Sequence, residues 1–199
     1  MEKPDSLDAC LHTAWHLLNR GAAQKRDPLH TFTLGTAAPD GPRLRTVVLR
    51  KTFRERRGLH FYTDFRSHKV TEIEQQAAVS ALFWHPKKNV QLRLRGHGSF
   101  ENQTDRCRAI WDNLPVHGRK TYGTVQAPGQ ILDDADDDLP AFWQQSDVEK
   151  ERTDYAFAHF AVGTLLVQEI EWLLLDRQGH QRAAFNWVED GWRGNWLVP

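Results

Sequence analysis

A mainly β fold, an antiparallel β barrel with peripheral helices, is the class predicted by this sequence, and three observations carry the prediction. Runs rich in β-branched and aromatic residues, bounded by turn residues, occupy both His30 to Gly96 and Ala158 to Val198. Segments with helical spacing lie at the start and in the middle of the chain, without the regular β-α-β alternation of a doubly wound sheet. No P-loop, dinucleotide-binding, zincin or nucleophile-elbow motif occurs.

At 199 residues, with 40% hydrophobic and 11% aromatic content, the chain can bury a proper core, and one domain over residues 1–199 is expected. No apolar run reaches the length of a membrane span, and MEKPDSLDAC does not read as a leader, so a cytoplasmic protein is expected. Cys10 and Cys107 are far apart and read as reduced, buried thiols.

The elements follow from local pattern. Leu7, Cys10, Leu11, Ala14, Leu17 and Leu18 recur at a period near 3.6, with Asp5 or Ser6 as N-cap and Gly21 past the end, so the N-terminal segment 1–21 is predicted to be helical. His12 and His16 stand four apart on it, but no third ligand is suggested nearby; they read as a solvated face, and no metal site is expected. His30 to Ala38 reads as a strand that turns at Pro39-Asp40-Gly41-Pro42 into Arg43 to Thr52. In that second strand Leu44, Thr46 and Val48 alternate with Arg45, Val47 and Leu49, and apolar residues on both faces mark an interior position. Leu59 to Thr63 completes a meander. Ser67 is placed to cap a helix reading HKVTEIEQQAA, whose buried stripe is Val70, Ile73 and Ala77.

Val79 to His85 and Asn89 to Gly96 form a second predicted hairpin, with Gln91, Arg93 and Arg95 on its polar face. Thr104 to Leu114 returns to helical spacing. Residues 115–150 read as a helical and acidic-loop insertion: a loop from Pro115 to Pro140, then a short helix from Leu139 to Glu151. Between Gly129 and Glu151 there are eight acidic residues against one lysine, without the spaced ligands and central Gly of a Ca²⁺ loop, so a solvated segment is expected. The last strands are predicted at Ala158 to Leu165, Glu169 to Leu175, Arg182 to Trp187 and Trp192 to Val198.

The chain has zero formal charge, yet Arg43 to Arg95 contains 13 Lys+Arg against 4 Asp+Glu. A neutral protein with one basic strip has a local anion to hold. Within that strip, the strand end Tyr62-Thr63, a short basic loop and a Ser67-capped helix with Lys69 nearby combine hydroxyls, free N–H groups and a positive dipole end, which together suit phosphate. An ordinary capped helix with solvated charges is the other reading of the same segment.

Arg45-Thr46-Val47-Val48-Leu49-Arg50, then Phe61-Tyr62-Thr63, then Ser67-His68-Lys69, then Gln91 five residues before Gly96, resemble the flavin-binding signature of the pyridoxamine 5′-phosphate oxidase family, the FMN-binding split barrels. The ending Trp192 to Pro199 (WRGNWLVP) is also similar to that family's C-terminus. The resemblance implies an antiparallel split β barrel with flanking helices and FMN as cofactor. It puts Arg45 and Lys69 on the phosphate, helped by Ser67 and His68; Val47 to Leu49 and Tyr62-Thr63 along the ring and ribityl chain; and Gln91 on the polar ring edge. Thr46 and Arg50 complete the signature strand. It also implies a homodimer with FMN at the interface, the partner chain supplying Gln126 of TVQAPG and C-terminal residues near Trp172 and Arg182.

Three departures bear on the substrate. The family's substrate-gripping Tyr and Arg-x-His are absent from RCRAIWDNLPVHGRK and HQRAAFNW, and Arg50 stands where the family has Lys. Charge-assisted contacts are worth roughly 1.5–3 kcal/mol each, so their loss argues against a vitamin B6 phosphate and for the family's divergent FMN-binding branch. The expected function is an FMN-dependent oxidoreductase acting on a small-molecule substrate through the flavin's own chemistry, with no side-chain catalyst identified. The alternatives are a genuine pyridoxamine 5′-phosphate oxidase, or a non-catalytic flavin or haem binder with His85 or His97 as axial candidates. Nucleic-acid binding through the basic strip, with Phe61, Tyr62, Phe65 and Trp84 stacking on bases, ranks below these, and neither a nucleic-acid nor a membrane partner is expected.

Overall fold

A computed structural model describes residues 3–199, so the first two residues of the expected segment 1–21 and domain 1–199 lie outside the described residues. Ser6 caps α1 (Leu7–Ala23), its hydroxyl accepting from the Ala9 N–H at 3.2 Å. The helix runs through Gly21 instead of stopping there. A Cβ at Gly21 would lie 2.7 Å from the Leu29 carbonyl oxygen, so this glycine permits a close approach and is no stop signal.

Eight antiparallel strands follow: β1 (Thr31–Ala38), β2 (Gly41–Phe53), β3 (Gly58–Asp64), β4 (Ala78–His85), β5 (Val90–Asn102), β6 (Phe160–Leu174), β7 (Gln181–Val188) and β8 (Gly191–Leu197). They pair in the order β3-β2-β1-β4-β5-β6-β7-β8, and an added β3–β6 pairing closes the first six into a barrel. The N-terminal half of β6 pairs with β3 while its C-terminal half pairs with β7, so one long strand leaves the barrel to carry the β7–β8 extension. This is the mainly β, split-barrel architecture expected.

The barrel interior is aromatic at its centre: Phe32 stacks on Phe83 at 4.7 Å and meets Phe61 edge-on at 6.1 Å. Cys10, Leu11, Ala14 and Leu18 of α1 belong to the same core. A second cluster lies under α3 (Asp105–Asp112), where Trp111 packs with Tyr122, Phe160 and Val162. Arg119, at the end of α4 (Val116–Arg119), is 2% exposed; it donates to the Trp111 carbonyl at 2.9 Å and to Thr153 Oγ1 at 3.1 Å. Cys10 and Cys107 are both unpaired and buried.

Several boundaries differ from the sequence expectation. Ala158 to Leu165 and Glu169 to Leu175 fuse into the single strand β6, because β5 extends to Asn102 and offers a continuous partner. The register shifts between Arg95 and Gly96, where a Cβ at Gly96 would stand 2.0 Å from the Leu166 carbonyl oxygen. Leu139 to Glu151 is not one helix: a short 3₁₀ turn at Ala141–Gln144 lies within it, and a 3₁₀ segment of 9 residues, Glu151–His159, follows. The expected loop from Pro115 contains α4 and a 3₁₀ turn at Lys120–Tyr122. The second helix, α2 (His68–Gln75), ends before Ala77. Leu44, read as part of an interior strand's apolar face, is 72% exposed, because strand alternation puts it on the outward face of β2, paired with Gly35, which has no side chain to cover it.

Candidate functional site

The strands of the basic strip open onto one cleft of about 910 Å³, bounded by β2, β3, the start of α2, and the segment from Leu114 to Asp138. At one end four side chains converge. Lys69 Nζ donates to Thr63 Oγ1 at 2.8 Å and to Ser67 Oγ at 2.9 Å, and the two hydroxyls lie 3.2 Å apart. Ser67 occupies the N-cap position of α2, but its hydroxyl bonds the Asp64 carbonyl and makes no side-chain cap bond. The capping role expected of Ser67 is thus replaced by a tie that holds its oxygen beside Lys69. Burial, and then the nearby Arg45, pulls the Lys69 ammonium below the ordinary lysine value.

Arg45 reaches this end from β2. Its guanidinium pairs with the buried Glu72 carboxylate of α2 at 2.7 Å and also contacts Thr36 Oγ1. Burial alone would raise Glu72, but the hydrogen bonds from Thr36 and Arg45 outweigh it and hold the carboxyl below its usual range. Arg45 is thereby fixed in orientation while remaining partly open to the cleft. Asp64, which also lines the cleft, is engaged in a fork with Arg66, at 2.7 and 3.1 Å. Two cations and two hydroxyls therefore face one volume, the arrangement that suits a phosphate dianion.

Further along, a register shift between Leu49 and Lys51 puts a bulge at Arg50, which turns its side chain into the cleft with the guanidinium 5.2 Å from the Tyr62 ring centre. Thr46, Val47 and Val48 form the adjacent wall. The opposite wall includes His117 of α4 and Tyr122, whose hydroxyl burial pushes above the ordinary tyrosine value. The segment after Gly123 folds back across the phosphate-like end. Arg66 donates to Thr124 Oγ1 at 3.0 Å and to the Val125 carbonyl at 3.1 Å, and the Gln126 N–H donates to Asp138 Oδ2 at 2.6 Å. Gly129, at φ +94°, rests against His68, where a Cβ would meet Cε1 at 3.2 Å.

Most of the residues singled out in the sequence meet here: Arg45, Thr46, Val47, Val48, Arg50, Tyr62, Thr63, Ser67, Lys69 and Gln126 all line the cleft. Gln126, expected from a second chain, lines the cleft of its own chain, because the loop's ties to Arg66 and Asp138 carry it there. His68 stands exposed beside it, next to Gly129. Leu49 and Trp172 do not line the cleft: both side chains are fully buried in the barrel core, where strand alternation turns them inward. Gln91 is half-buried on β5 opposite Leu173, and Arg182 pairs with Glu171 at 3.0 Å; neither lines the cleft of the same protomer.

The acidic run, expected to be solvated throughout, sends Asp137 and Asp138 to the cleft's edge. Lys25, Thr121 and Tyr122 were not legible as site residues; they reach it only through the α1–β1 connection and the turn after α4. Part of the basic strip is neutralised by local partners, with Arg43 on Asp40, Arg93 on Glu171 and Arg95 on Glu169.

A closed six-strand barrel with a long strand leaving it, and a cleft on which Arg45, Lys69, Thr63 and Ser67 converge, define a split-barrel protein. The sequence pattern of the pyridoxamine 5′-phosphate oxidase, FMN-binding domain matches residues 12–101. A pyridoxine/pyridoxamine 5′-phosphate oxidase from Nostoc sp. (strain PCC 7120) is 33% identical over 185 residues, which cover 89% of this chain and 82% of that one. Another of the same name, from Nostoc punctiforme, is 32% identical over 98 residues; the match spans 49% of this chain and less than half, 44%, of the relative's length. Among solved structures, a pyridoxamine 5′-phosphate oxidase-related, FMN binding protein from Nostoc punctiforme superposes with a TM-score of 0.71 at 21% identity, over 94% of this chain and 96% of that one. PhzG from Burkholderia lata, solved in complex with tetrahydrophenazine-1-carboxylic acid, superposes at 0.67 with 19% identity, over 99% and 95% of the two chains. The chain belongs to the pyridoxamine 5′-phosphate oxidase-like FMN-binding family.

Proposed function

We propose that the cleft binds FMN and that the chain, a single domain over residues 1–199, is an FMN-dependent oxidoreductase of a divergent branch of this family. The observation that carries the reading is the convergence of Arg45, Lys69, Thr63 and Ser67 at one end of the cleft. Arg45 and Lys69 hold the cofactor phosphate by charge-assisted bonds, and the Ser67 and Thr63 hydroxyls turn toward the same oxygens once Lys69 has a better partner. Thr46, Val47 and Val48 wall the ribityl chain and ring, and Tyr62, steadied by Arg50, closes the side against water. Gln126 lies over the phosphate end on its Asp138-anchored loop. When bound, FMN supplies hydride transfer at its ring; the protein supplies binding, orientation and electrostatics.

The cleft of one protomer does not include Gln91 or Arg182, which lie on the barrel's other exposed face with Leu82 and Trp84 at 40 and 41% exposure. A homodimer that brings this face of a partner to the cofactor is part of the same reading. Unpaired, buried cysteines fit a cytoplasmic setting, and among the described residues no helix is long and apolar enough to cross a membrane.

The wall beyond Tyr62 offers Leu114, Pro115, His117 and Gly118, with Arg50 as its nearby fixed cation. The absence of the family's Tyr and Arg-x-His is what supports a substrate other than a B6 phosphate at this wall. An absorbance spectrum of the purified protein, followed by release and identification of the chromophore, tests the cofactor. Protein that is colourless and fails to take up FMN would overturn it. Turnover of pyridoxamine 5′-phosphate at ordinary enzymatic rates would overturn the substrate reading and restore the name carried by the relatives.

A further inference from the structure

A second groove, of about 730 Å³, lies between α3 and the outer faces of β2, β3, β5 and β6. Lys51 of β2, Arg56 of the β2–β3 turn and Arg106 of α3 line it against a single carboxylate, Glu101 of β5. None of these cations belongs to the cofactor cleft. At the floor sits His60, 7% exposed, its ring 4.6 Å from that of Phe53. The Arg106 guanidinium nitrogen lies 2.9 Å from both His60 ring nitrogens. An atom equally close to both stands over the ring, since in the ring plane it would collide with Cε1. The imidazole therefore faces a cation without an ordinary acceptor bond to it. Burial, then Arg106 and Lys51, drives the His60 pKa down to about 4 and keeps the ring neutral. Arg106 is partly balanced by Glu101 at 2.6 Å, while Lys51 stands over the Phe53 ring at 5.0 Å and, among the described residues, has no carboxylate partner.

Three cations around a buried imidazole with one carboxylate leave a positive groove whose missing component is an anion. We propose that this groove is a second anion site, which takes the phosphate or carboxylate group of a small organic molecule between Arg106, Lys51 and Arg56, with His60 as its buried hydrogen-bond partner. Tyr62 lines both cavities, so a ligand here packs against the back of the cleft wall. The proposal does not depend on the identity of the ligand in the cleft.

The test is NMR of the His60 ring in the full chain during titration with inorganic phosphate and, separately, with acetate, repeated in Lys69→Met, Arg106→Met and Arg56→Met. The expected result is a saturable rise of the His60 pKa by about one unit or more, since an opposite charge nearby favours imidazolium. The rise persists in Lys69→Met, which weakens only the cleft, and its midpoint moves at least tenfold in Arg106→Met. Arg56→Met serves if loss of Arg106 disturbs α3. A response to phosphate alone identifies a phosphoryl ligand, and a response to acetate a carboxylate. An unchanged His60 titration with both anions overturns the proposal, as does a rise that vanishes in Lys69→Met yet survives both arginine substitutions.

Discussion

Replacing Arg45 by glutamine separates the two jobs this side chain performs. In the free protein Arg45 neutralises Glu72 at 2.7 Å, with side-chain exposures of 21 and 8%. Removing one partner of a buried pair costs about 3–5 kcal/mol, chiefly through the charge left behind. Here Arg43 remains 3.6 Å from the other Glu72 oxygen and Arg45 is one-fifth open to water, so on the order of 2–3 kcal/mol is expected. For a chain of 199 residues that lowers Tm by roughly 4–12 °C. The same substitution removes a charge-assisted bond to the phosphate, about 1.5–3 kcal/mol, and weakens FMN by roughly 10- to 150-fold. The double variant Arg45→Gln/Glu72→Gln leaves no buried carboxylate deprived of its Arg45 partner, so much of the stability returns while FMN affinity does not. Thermal melts of the FMN-free protein and flavin fluorescence titration measure the two effects. An Arg45→Gln variant that keeps its FMN affinity within about threefold, or a double variant that regains it, would refute the reasoning.

Lys69→Met is expected to weaken FMN by a comparable factor of roughly 10 to 150, without loss of stability in the free protein, because the ammonium it removes is partly desolvated and lies beside Arg45; calorimetry with and without FMN reports both. For His60 the folded pKa of about 4 lies below the ordinary 6.5, so between these values the unfolded chain binds the proton more readily. Its contribution to stability is complete above about pH 6.5 and is lost as pH falls toward 4, and urea melts across that window should flatten in His60→Gln. Gly96→Ala puts a methyl group 2.0 Å from the Leu166 carbonyl oxygen, which is backbone and cannot step aside; a loss of about 3 kcal/mol or more is expected in denaturant melts, and a loss under 1 would remove the close-approach argument.

The strand runs, the α1 stripe and the spacing Arg45, Tyr62-Thr63, Ser67, Lys69 are local patterns, and each was legible because alternation and helical period are set by neighbours in sequence. The same holds for the family: four short motifs in order were enough to point to it. What the chain alone could not show depends on contacts between distant segments. The fusion of Ala158 to Leu175 into one strand required β5 to extend beside it to Asn102. Which apolar residues face inward on β2 and β6 was settled by closure through β3 and β6, which buried Leu49 and Trp172 and left Leu44 in water. Gln126 and Asp138 reached the cleft because Arg66 links the loop to Asp64, a tie spanning 59 positions from Arg66 to Val125. The pairing of Arg45 with Glu72 brings together residues 27 positions apart, and nothing in either residue's local pattern marks it. Sequence determined which chemistry the chain carries, because composition and period are local; tertiary structure decided which of those groups share a cavity, because that follows from how the sheet closes.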